Sequence, residues 1–471
     1  MAPRARARER ACGRGAAAAS FKFLFPLRQC FAISDFQETF AKRGVVANMI
    51  ALAMHRFRRV LALIAAIACI SGACEAQATV AAATETITLG AAVALTGRYA
   101  TNGHNTKDGY DLAIRAINEK GGVELAGRRY RLAVKYYDDK SSPSLSAQLV
   151  ERLISRDGID LILGPYSSAV TKAVAPVVER HKVPMVEANG ADRDLFTQGY
   201  RYVFAVVSTS DQYLASAVQL LSELSTVAGR DAKHLKIALA MEDDPFSQDV
   251  RDGVIEEAKR LGMSIVIDDK LPAEMDDMSV TLTKVRARKP DLLVVSGHTK
   301  GVLLGMREVA EEQIDVPVLA TTHCDSAKVV AKYGELADYW LCASQWDRSL
   351  SYRGAVFGSA EDFARRFEDT YGYEAPYQAA ESAAAVLVYA DAIRRAGSLA
   401  PQQIRSALAA TDMETFYGYV KFDQTGKNIA KPMVLYQIQN GQYKVVAPLK
   451  WASTRIVFPV PSWSQRTRGR P

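Results

Sequence analysis

Residues 159–189, IDLILGPYSSAVTKAVAPVVERHKVPMVEAN, carry the pattern that decides the fold. Two short apolar runs, at 159–165 and 183–189, flank a segment at 169–181 that has the length and apolar spacing of a helix. A strand, a helix and a second apolar strand in this order are typical of a parallel β–α–β unit. The pattern therefore predicts an α/β protein with helices covering both faces of a parallel, doubly wound sheet.

The same alternation continues on both sides of this unit and forms two series. The first runs from a strand at 85–94 to a strand at 183–189, and the second runs from a strand at 200–207 to a strand at 339–346. About 390 residues belong to this region, which is more than one typical core holds and favours two lobes. We predict lobe I at 83–207 and 349–431, lobe II at 208–348 and 432–455, and a C-terminal tail at 456–471.

The remaining predicted elements follow the same periodicities. Helices are predicted at 106–118, 144–156, 247–261, 279–287, 302–312, 359–372, 377–395 and 401–412, and strands at 130–139, 237–243, 264–272, 291–297 and 316–322. Antiparallel strands with Asp-Gln-Thr-Gly and Gln-Asn-Gly turns are predicted near the end of the chain. The last residues include Arg466, Arg468 and Arg470, and we expect a solvated, frayed end there.

Residues 49–78 have the features of a secretory signal peptide. HRFRR at 55–59 precedes 11 apolar residues at 60–70, and Ala76-Gln77-Ala78 form a small-residue exit. Eleven residues make about 16 Å of helix, which is too short for a hydrocarbon core of roughly 30 Å. A buried core helix is the alternative, but such a helix requires neither the arginine cluster that precedes the apolar run nor the small-residue cleavage site that follows it.

The mature chain is therefore expected to begin at Thr79 and to be periplasmic. Residues 1–48 are Arg/Ala/Gly-biased at their start, and we interpret them as a disordered extension from a start codon assigned too early. Lipid anchoring at Cys74 is less favoured, because Ser71 stands where the bacterial lipidation pattern has an aliphatic residue.

Charge and cysteine content narrow the classes of function. The net charge of +7 is concentrated before residue 79, where 12 Lys/Arg face 4 Asp/Glu, so the remainder carries 47 against 48. A near-neutral mature chain has no general attraction for nucleic acid. Of six cysteines only Cys324 and Cys342 follow residue 79. After export they could form a disulfide or remain two packed thiols.

Candidate ligand-binding residues follow the predicted strands, because ligands of such sheets bind beyond the carboxyl ends of the strands. Ser167 and Ser168 open a helix whose free amides could hold a carboxylate, although ordinary helix capping is the commoner explanation of this motif taken alone. Other polar or aromatic residues stand after the remaining strands: Asn189, Ala191, Phe246, His298, Thr322 and His323.

Catalytic and metal-binding patterns are missing from the sequence. It has no G-x-S-x-G motif, no Walker-type loop and no G-x-G-x-x-G after a strand. The histidines lack the close spacing typical of metal ligands. We therefore expect no enzyme activity, no cofactor and no metal.

In order and spacing, five segments resemble the solute-binding proteins of branched-chain amino-acid ABC transporters. They are LGAAVALTGRYATNGHNTKDGYDLAIRAINEKGGV (89–123), KYYDDKSSPSLSAQLVERLI (135–154), ILGPYSSAV (162–170), HKVPMVEANGADRDLF (181–196) and YGYEAPYQAAESAAAVLVYADAI (371–393). FPVPSWSQR (458–466) is similar to an ending found in part of that family. The resemblance implies the type I periplasmic binding protein fold, in which two doubly wound parallel-sheet lobes are joined by a three-strand hinge. It also implies a monomer that binds an amino acid or a related small carboxylate or amide and delivers it to a permease and its ATPase. A ligand sensor on the same fold, for an amide, urea-like solute or aromatic acid, is the alternative.

The resemblance also implies roles for individual residues. Ser168, with Ser167, would hold the ligand carboxylate, and backbone groups of Asn189 and Ala191 would assist. In lobe II the resemblance places Phe246 as the closing aromatic residue and His298 where leucine-type members have tyrosine. On the lobe I side, Tyr99 or Asn102 would line the cleft.

One departure from the leucine-type pattern bears on the ligand. Those members place a carboxylate after the strand that corresponds to 316–320, where it meets the ligand's ammonium group, whereas this chain has Thr321-Thr322-His323 there. A buried ammonium group without a counter-charge is unfavourable. Either another carboxylate substitutes, with Asp325, Glu187 and Asp243 as candidates, or the ligand lacks an α-amino group and is an aromatic or amide-bearing solute.

Overall fold

Two large sheets organise the part of the chain that the computed structural model describes, residues 85–273 and 276–468. The first six strands are β1 (Thr86–Val93), β2 (Val123–Leu125), β3 (Arg128–Asp138), β4 (Ile162–Leu163), β5 (Met185–Glu187) and β6 (Val203–Ala205). The next five are β7 (Lys236–Glu242), β8 (Ser264–Leu271), β9 (Leu292–Ser296), β10 (Val318–Thr321) and β11 (Trp340–Ser344). The last six are β12 (Arg353–Gly354), β13 (Gly358–Ser359), β14 (Asp412–Thr415), β15 (Gly418–Lys421), β16 (Val434–Gln439) and β17 (Gln442–Ala447).

The strand orders are those of two doubly wound lobes. Lobe I has the order β2-β3-β1-β4-β5-β6, and lobe II has β17-β16-β11-β10-β9-β7-β8. Pairing is parallel except where β2 joins β3 and where β16 joins β11 and β17. All five residues of β9 are buried, as expected for a central strand covered on both faces. β12–β13 and β14–β15 form two small separate hairpins.

Helices follow most strands and cover the two sheets. They are α1 (Ala100–Glu119), α2 (Pro143–Ser155), α3 (Ser168–His181), α4 (Gln212–Val227), α5 (Pro245–Leu261), α6 (Ser279–Arg288), α7 (Thr299–Glu311), α8 (Val329–Tyr333), α9 (Ala360–Tyr371), α10 (Tyr377–Ala396), α11 (Pro401–Ala409) and α12 (Trp463–Arg468). Within the described residues, none of the helices is both long and apolar enough to cross a bilayer. The predicted signal peptide, the extension at 1–48 and the cleavage site before Thr79 lie outside the described residues.

Three chain segments pass between the lobes and are hydrogen-bonded to one another. Ser208 N donates to Gln345 Oε1 at 3.1 Å, and Gln345 Nε2 donates back to the Ser208 carbonyl oxygen at 2.9 Å. Ser208 Oγ donates to the Lys431 carbonyl oxygen at 2.6 Å. Each of these residues lies on a different crossing, so the three form the hinge that the resemblance implies. The exact lobe boundaries stay a prediction.

The C-terminal segment packs against lobe II at Trp463, which differs from the frayed, solvated end that we expected. Trp463 is buried, its indole Nε1 donates to the Ile314 carbonyl oxygen at 3.1 Å, and its backbone N–H donates to Asp315 Oδ1 at 2.8 Å. The Arg466 guanidinium lies over the Trp463 ring. The basic residues suggested solvent exposure, but burial of the tryptophan side chain holds this segment against lobe II.

The cysteines after residue 79 form a disulfide between the loop after β10 and strand β11. Cys324 and Cys342 are joined by an S–S bond, with their Cα atoms 6.0 Å apart. The Tyr443 hydroxyl donates to the Cys324 carbonyl oxygen at 3.0 Å. The loop that carries His323 is thereby held to β11 and β17 of lobe II.

Candidate functional site

The strand ends and helix starts of the two lobes bring seven ring-bearing side chains into one buried aromatic cluster. Centroid distances are 4.6 Å for Tyr99–His298, 5.0 Å for Phe246–His323 and 5.2 Å for His298–His323. The members from lobe I are Tyr99, Tyr166 and Tyr377, and those from lobe II are Tyr213, Phe246, His298 and His323. Four of the predicted site residues therefore share one cluster, while the roles of Tyr166, Tyr213 and Tyr377 were not predicted.

Hydrogen bonds to the Tyr166 hydroxyl join the lobes within this cluster. Asn102 Nδ2 donates to it at 2.6 Å, His298 Nδ1 lies at 3.0 Å and His323 Nε2 at 3.2 Å. Burial lowers the pKa of His323 to about 3, so its imidazole is neutral at neutral pH. Burial also raises the pKa of Tyr99 to about 12. The cluster therefore presents neutral His323 and tyrosine side chains rather than a block of charges.

Two adjacent loops of lobe I carry the residues predicted to hold a carboxylate. Ser167 Oγ accepts from Val170 N at 3.4 Å and caps α3. Ser168 Oγ accepts from Asp192 N at 3.2 Å, and its O–H group can still donate to a ligand. Asn189 Nδ2 donates to Ser382 Oγ at 3.0 Å, whereas the Ala191 carbonyl oxygen accepts from Ser210 N at 2.8 Å. The structure thus brings these four residues together next to the amides of a helix N-terminus.

Glu187 holds the loop at Asn189 in place through hydrogen bonds. Its Oε1 accepts from the backbone N–H groups of Asn189 and Gly190, and its Oε2 accepts from Thr171 Oγ1 at 3.1 Å. Burial raises the pKa of Glu187 to about 7 even though these hydrogen bonds favour the charged form. Both oxygens are therefore occupied within the protein, and Glu187 orders the loop rather than facing a ligand.

Two residues from opposite lobes have positive φ angles at the cleft. Ser167 has φ of 84° and His323 has φ of 54°, in the region that favours glycine. Such conformations are energetically unfavourable for side-chain-bearing residues and are found at ligand sites more often than elsewhere. Both lie in loops whose geometry is fixed by neighbouring contacts, the α3 cap for Ser167 and the adjacent disulfide for His323.

Three residues named above as possible partners for a ligand have other contacts in the structure. The Thr322 hydroxyl donates to the Gly297 carbonyl oxygen at 3.0 Å. Asp325 accepts from Ser326 N at 2.8 Å and from Tyr377 N at 3.0 Å, one bond to each carboxylate oxygen. Asp243 lies half-exposed and pairs with Lys270 at 2.8 Å. Asp325 and Asp243, like Glu187 above, thus all have partners within the protein.

Asp244 is a cleft carboxylate that was not predicted as a site residue. Its Oδ1 accepts from Phe246 N at 2.9 Å and caps α5, and His298 Nε2 lies 3.4 Å from that same oxygen. Burial alone would raise the pKa of Asp244, but the His298 imidazole and hydrogen bonds from Ser247 keep it below the usual range. Asp-Pro at a helix start is an ordinary capping pattern. The sequence therefore offered no reason to name Asp244 as a site residue.

Four buried polar atoms of the cleft have no hydrogen-bond partner within the described residues. They are Asn189 Oδ1, Asp244 Oδ2, His298 Nε2 and His323 Nδ1. Buried polar atoms are nearly always hydrogen-bonded in folded proteins. The four atoms belong to residues that are part of the aromatic cluster or in contact with it, so this cleft holds polar groups that the described residues do not satisfy. The described residues contain no group of three or more His, Cys, Asp or Glu side chains that could hold a metal ion.

Comparisons with known proteins agree with this architecture. Residues 86–442 match the family model described as periplasmic binding protein. The Leu/Ile/Val-binding protein homolog 8 of Brucella abortus is 24% identical over 388 residues, covering 80% of this chain and 94% of that protein.

Two solved structures share the fold. One is the branched-chain amino acid transporter substrate binding protein LivJ from Streptococcus pneumoniae in complex with isoleucine, with a TM-score of 0.66 and 22% identity, covering 77% of this chain and 100% of that one. The other is an ABC transporter solute binding protein from R. palustris in complex with benzoate, with a TM-score of 0.65 and 19% identity, covering 77% and 95%. The predicted fold and resemblance are confirmed.

Proposed function

This chain belongs to the periplasmic binding protein family, and we propose that it is the exported solute-binding component of an ABC importer. In this role it captures an amino acid or a related small carboxylate between its lobes and delivers it to a membrane permease and its ATPase. We expect it to act as a monomer and without catalytic turnover. The observation that carries this proposal is the convergence of unpartnered polar atoms from both lobes in one aromatic-lined cleft.

The chemistry of lobe I supports a carboxylate as the common part of the ligand. Ser168 stands at the first turn of α3, where the backbone amides are partly unsatisfied and the helix dipole favours negative charge. Isoleucine and benzoate, the ligands of the two structural neighbours, both carry a carboxylate. The aromatic cluster would then pack against the remainder of the ligand.

A thermal-shift screen tests the binding function directly. Amino acids, amides and aromatic acids would each be added to the purified mature protein. A ligand present at a hundredfold excess over its dissociation constant stabilises the native state by about 2.7 kcal/mol. Failure of every compound to raise the melting temperature would contradict the proposal. For the transport role, cells lacking this gene should lose uptake of the solute that binds.

Replacing Ser168 by alanine is expected to weaken carboxylate binding by roughly 1–3 kcal/mol, the scale of one hydrogen bond to a charged group. Calorimetry with the strongest carboxylate from the screen gives the affinity of each variant. Ser155→Ala is the matched control, because Ser155 Oγ donates to the Glu151 carbonyl oxygen on an exposed helix end. Equal affinity of Ser168→Ala and the wild type would count against this role.

Ligand binding is expected to shift the protein towards a closed form by rotation at the hinge. The proposed contacts come from both lobes, so they form together only when the cleft is shut. Small-angle scattering should therefore show a smaller radius of gyration at ligand saturation. The Ser168→Ala variant, at a concentration too low to saturate it, serves as the control. An unchanged radius in the saturated wild type would contradict closure.

A further inference from the structure

Arg193 makes ion pairs that join the two lobes outside the aromatic cluster. It begins the short turn Arg193–Phe196 after β5 of lobe I, whereas its partners Asp249 and Glu256 lie on α5 of lobe II. Arg193 Nε lies 2.7 Å from Asp249 Oδ1. Its Nη2 and Nη1 donate to the two carboxylate oxygens of Glu256 at 2.8 and 2.9 Å. One guanidinium group of lobe I therefore holds two carboxylates of lobe II, in the forked geometry that arginine favours.

Asp249 is the buried partner in this contact. It is 6% exposed, and its Oδ2 accepts from Ser210 Oγ at 2.6 Å and from the backbone N–H groups of Arg193 and Asp211 at 3.0 and 3.2 Å. Burial raises the pKa of Asp249 to about 6, so its carboxylate is ionised at neutral pH although it is poorly hydrated. Loss of the Arg193 guanidinium would leave this buried charge with neutral hydrogen-bond donors only, which is unfavourable.

The same contact connects the two sides of the cleft. On lobe I, Asp192 precedes Arg193, and its backbone N–H donates to Ser168 Oγ at 3.2 Å. On lobe II, α5 carries Phe246 of the aromatic cluster near its start, about one helical turn before Asp249. A movement of α5 away from lobe I would therefore break the ion pairs of Arg193 and carry Phe246 away from the loop at Ser168.

We propose that Arg193, Asp249 and Glu256 form a cross-lobe latch, which holds the lobes in the closed form and slows the release of a bound ligand. This inference rests on the proposed binding function, but the latch would act on any solute in the cleft, because none of its residues belongs to the aromatic cluster. A charged hydrogen bond needs its two heavy atoms within about 3 Å of each other, so rotation at the hinge breaks the latch. Its free energy therefore favours the closed form alone.

The test compares Arg193→Gln with the matched control Arg251→Gln. The two arginine side chains are 30% and 29% exposed, and each pairs with at least two carboxylates. The partners of Arg251 are Asp252 on α5 and Asp268 on β8. Both partners lie on lobe II, so the ion pairs of Arg251 do not join the lobes. Glutamine removes one positive charge in either variant.

Stopped-flow fluorescence measures association and release of isoleucine, of benzoate and of the compound that gives the largest thermal shift. Arg193→Gln should release the bound compound about fivefold faster or more, while its association rate stays within about twofold of the wild type. Arg251→Gln should match the wild type in both rates. Arg193→Lys keeps the charge without the forked donors, so its release should be slower than that of Arg193→Gln.

Salt provides a readout that a purely structural role of Arg193 would not change. The ion pair with the exposed Glu256 is screened by ions. Raising NaCl from about 0.05 to about 0.5 M should therefore speed release from the wild type and from Arg251→Gln more than from Arg193→Gln.

The latch also has a readout without ligand, because its ion pairs involve only protein atoms. In small-angle scattering, unliganded Arg193→Gln should have a larger radius of gyration than the unliganded wild type and Arg251→Gln.

The outcomes separate the latch from the binding function itself. A release rate of Arg193→Gln within about twofold of the wild type overturns the latch, and so does an equal effect of salt on both proteins. A change confined to the association rate also overturns it, because that result would indicate damage to the loop at Ser168. If no compound binds to the wild type, the proposed function is wrong. Scattering then decides on the latch alone, and equal radii of the unliganded proteins overturn it.

Discussion

Replacing Gly109 by valine is expected to lower the free energy of unfolding by about 3 kcal/mol or more, because the new side chain has no space at a helix crossing. Gly109 lies in the middle of α1, which packs along α10 in lobe I. A Cβ atom at position 109 would stand 2.2 Å from the Ala379 carbonyl oxygen and 2.9 Å from its Cα atom. These are backbone atoms of a neighbouring helix, so the clash requires the two helices to move apart.

Separating α1 from α10 would loosen lobe I beyond position 109. Tyr371 and Tyr373 donate hydrogen bonds to the Asp108 carbonyl oxygen and to Asp108 Oδ2 at 2.9 and 2.8 Å. The same face of α1 buries Leu112 and Ala113, and protein interiors tolerate little displacement at such contacts. The better helix propensity of valine over glycine, a few tenths of a kcal/mol, does not offset this loss.

Chemical denaturation followed by circular dichroism measures the effect of Gly109→Val. Arg115→Val in the same helix is the control, because Arg115 is exposed and the substitution introduces the same β-branched residue. The control is expected to change stability by no more than about 0.5 kcal/mol. An unfolding midpoint of Gly109→Val equal to that of Arg115→Val would contradict this prediction. It would show that α1 and α10 can move apart without a loss of stability.

The alternation of apolar strands and helices predicted most of this fold because both periodicities are local properties of the sequence. β7, β9 and α3 lie where their patterns place them, with ends shifted by a few residues. α1 begins at Ala100, ahead of the predicted start at 106, because the polar first turns carry no helical apolar period. β2 was missed because three residues are too few for any period to register.

The candidate site was predictable only in part, because its key contacts join residues far apart in sequence. Ser168 and His298 stand directly after strands, so their common location follows from the sheet topology. Tyr377 starts a long apolar helix, and nothing local distinguishes it from a core residue. Asp244 matches an ordinary helix-capping pattern, and only the three-dimensional structure shows that its second oxygen is buried without a hydrogen-bond partner among the described residues.

A Glu187→Gln variant is expected to differ from the wild type in the pH dependence of stability. In the folded protein burial raises the pKa of Glu187 to about 7, from an ordinary value of 4.5. The folded state therefore holds a proton that the unfolded state releases between those values. The stabilisation from protonated Glu187 is fully present below pH 4.5 and is lost as the pH rises through 7. A shift of this size corresponds to roughly 3 kcal/mol.

Glutamine imitates the protonated carboxyl group and cannot ionise, so it isolates this contribution. Its side-chain oxygen can accept from Asn189 N and Gly190 N as Glu187 Oε1 does, which keeps the ligand loop in place. Near pH 4.5 the two proteins should have similar unfolding free energies, whereas near pH 7.5 the variant should be more stable by roughly 3 kcal/mol. Urea denaturation at a series of pH values gives this difference.

Glu151→Gln provides a control of opposite sign, because burial raises the pKa of Glu151 but the hydrogen bonds and positive charges of Arg180 and His181 together outweigh it and lower that pKa. A lowered pKa contributes stability above the unfolded value and loses it as the pH falls, so here the wild type should gain on the variant as the pH rises from acid. The Glu151 effect lies below pH 4.5, whereas Glu187→Gln should show a change of opposite sign between pH 4.5 and 7. If its stability difference from the wild type is constant between pH 4.5 and 7.5, then Glu187 is ionised in the folded protein throughout. The loop at Asn189 would in that case be ordered by a buried carboxylate anion rather than by a neutral carboxyl group.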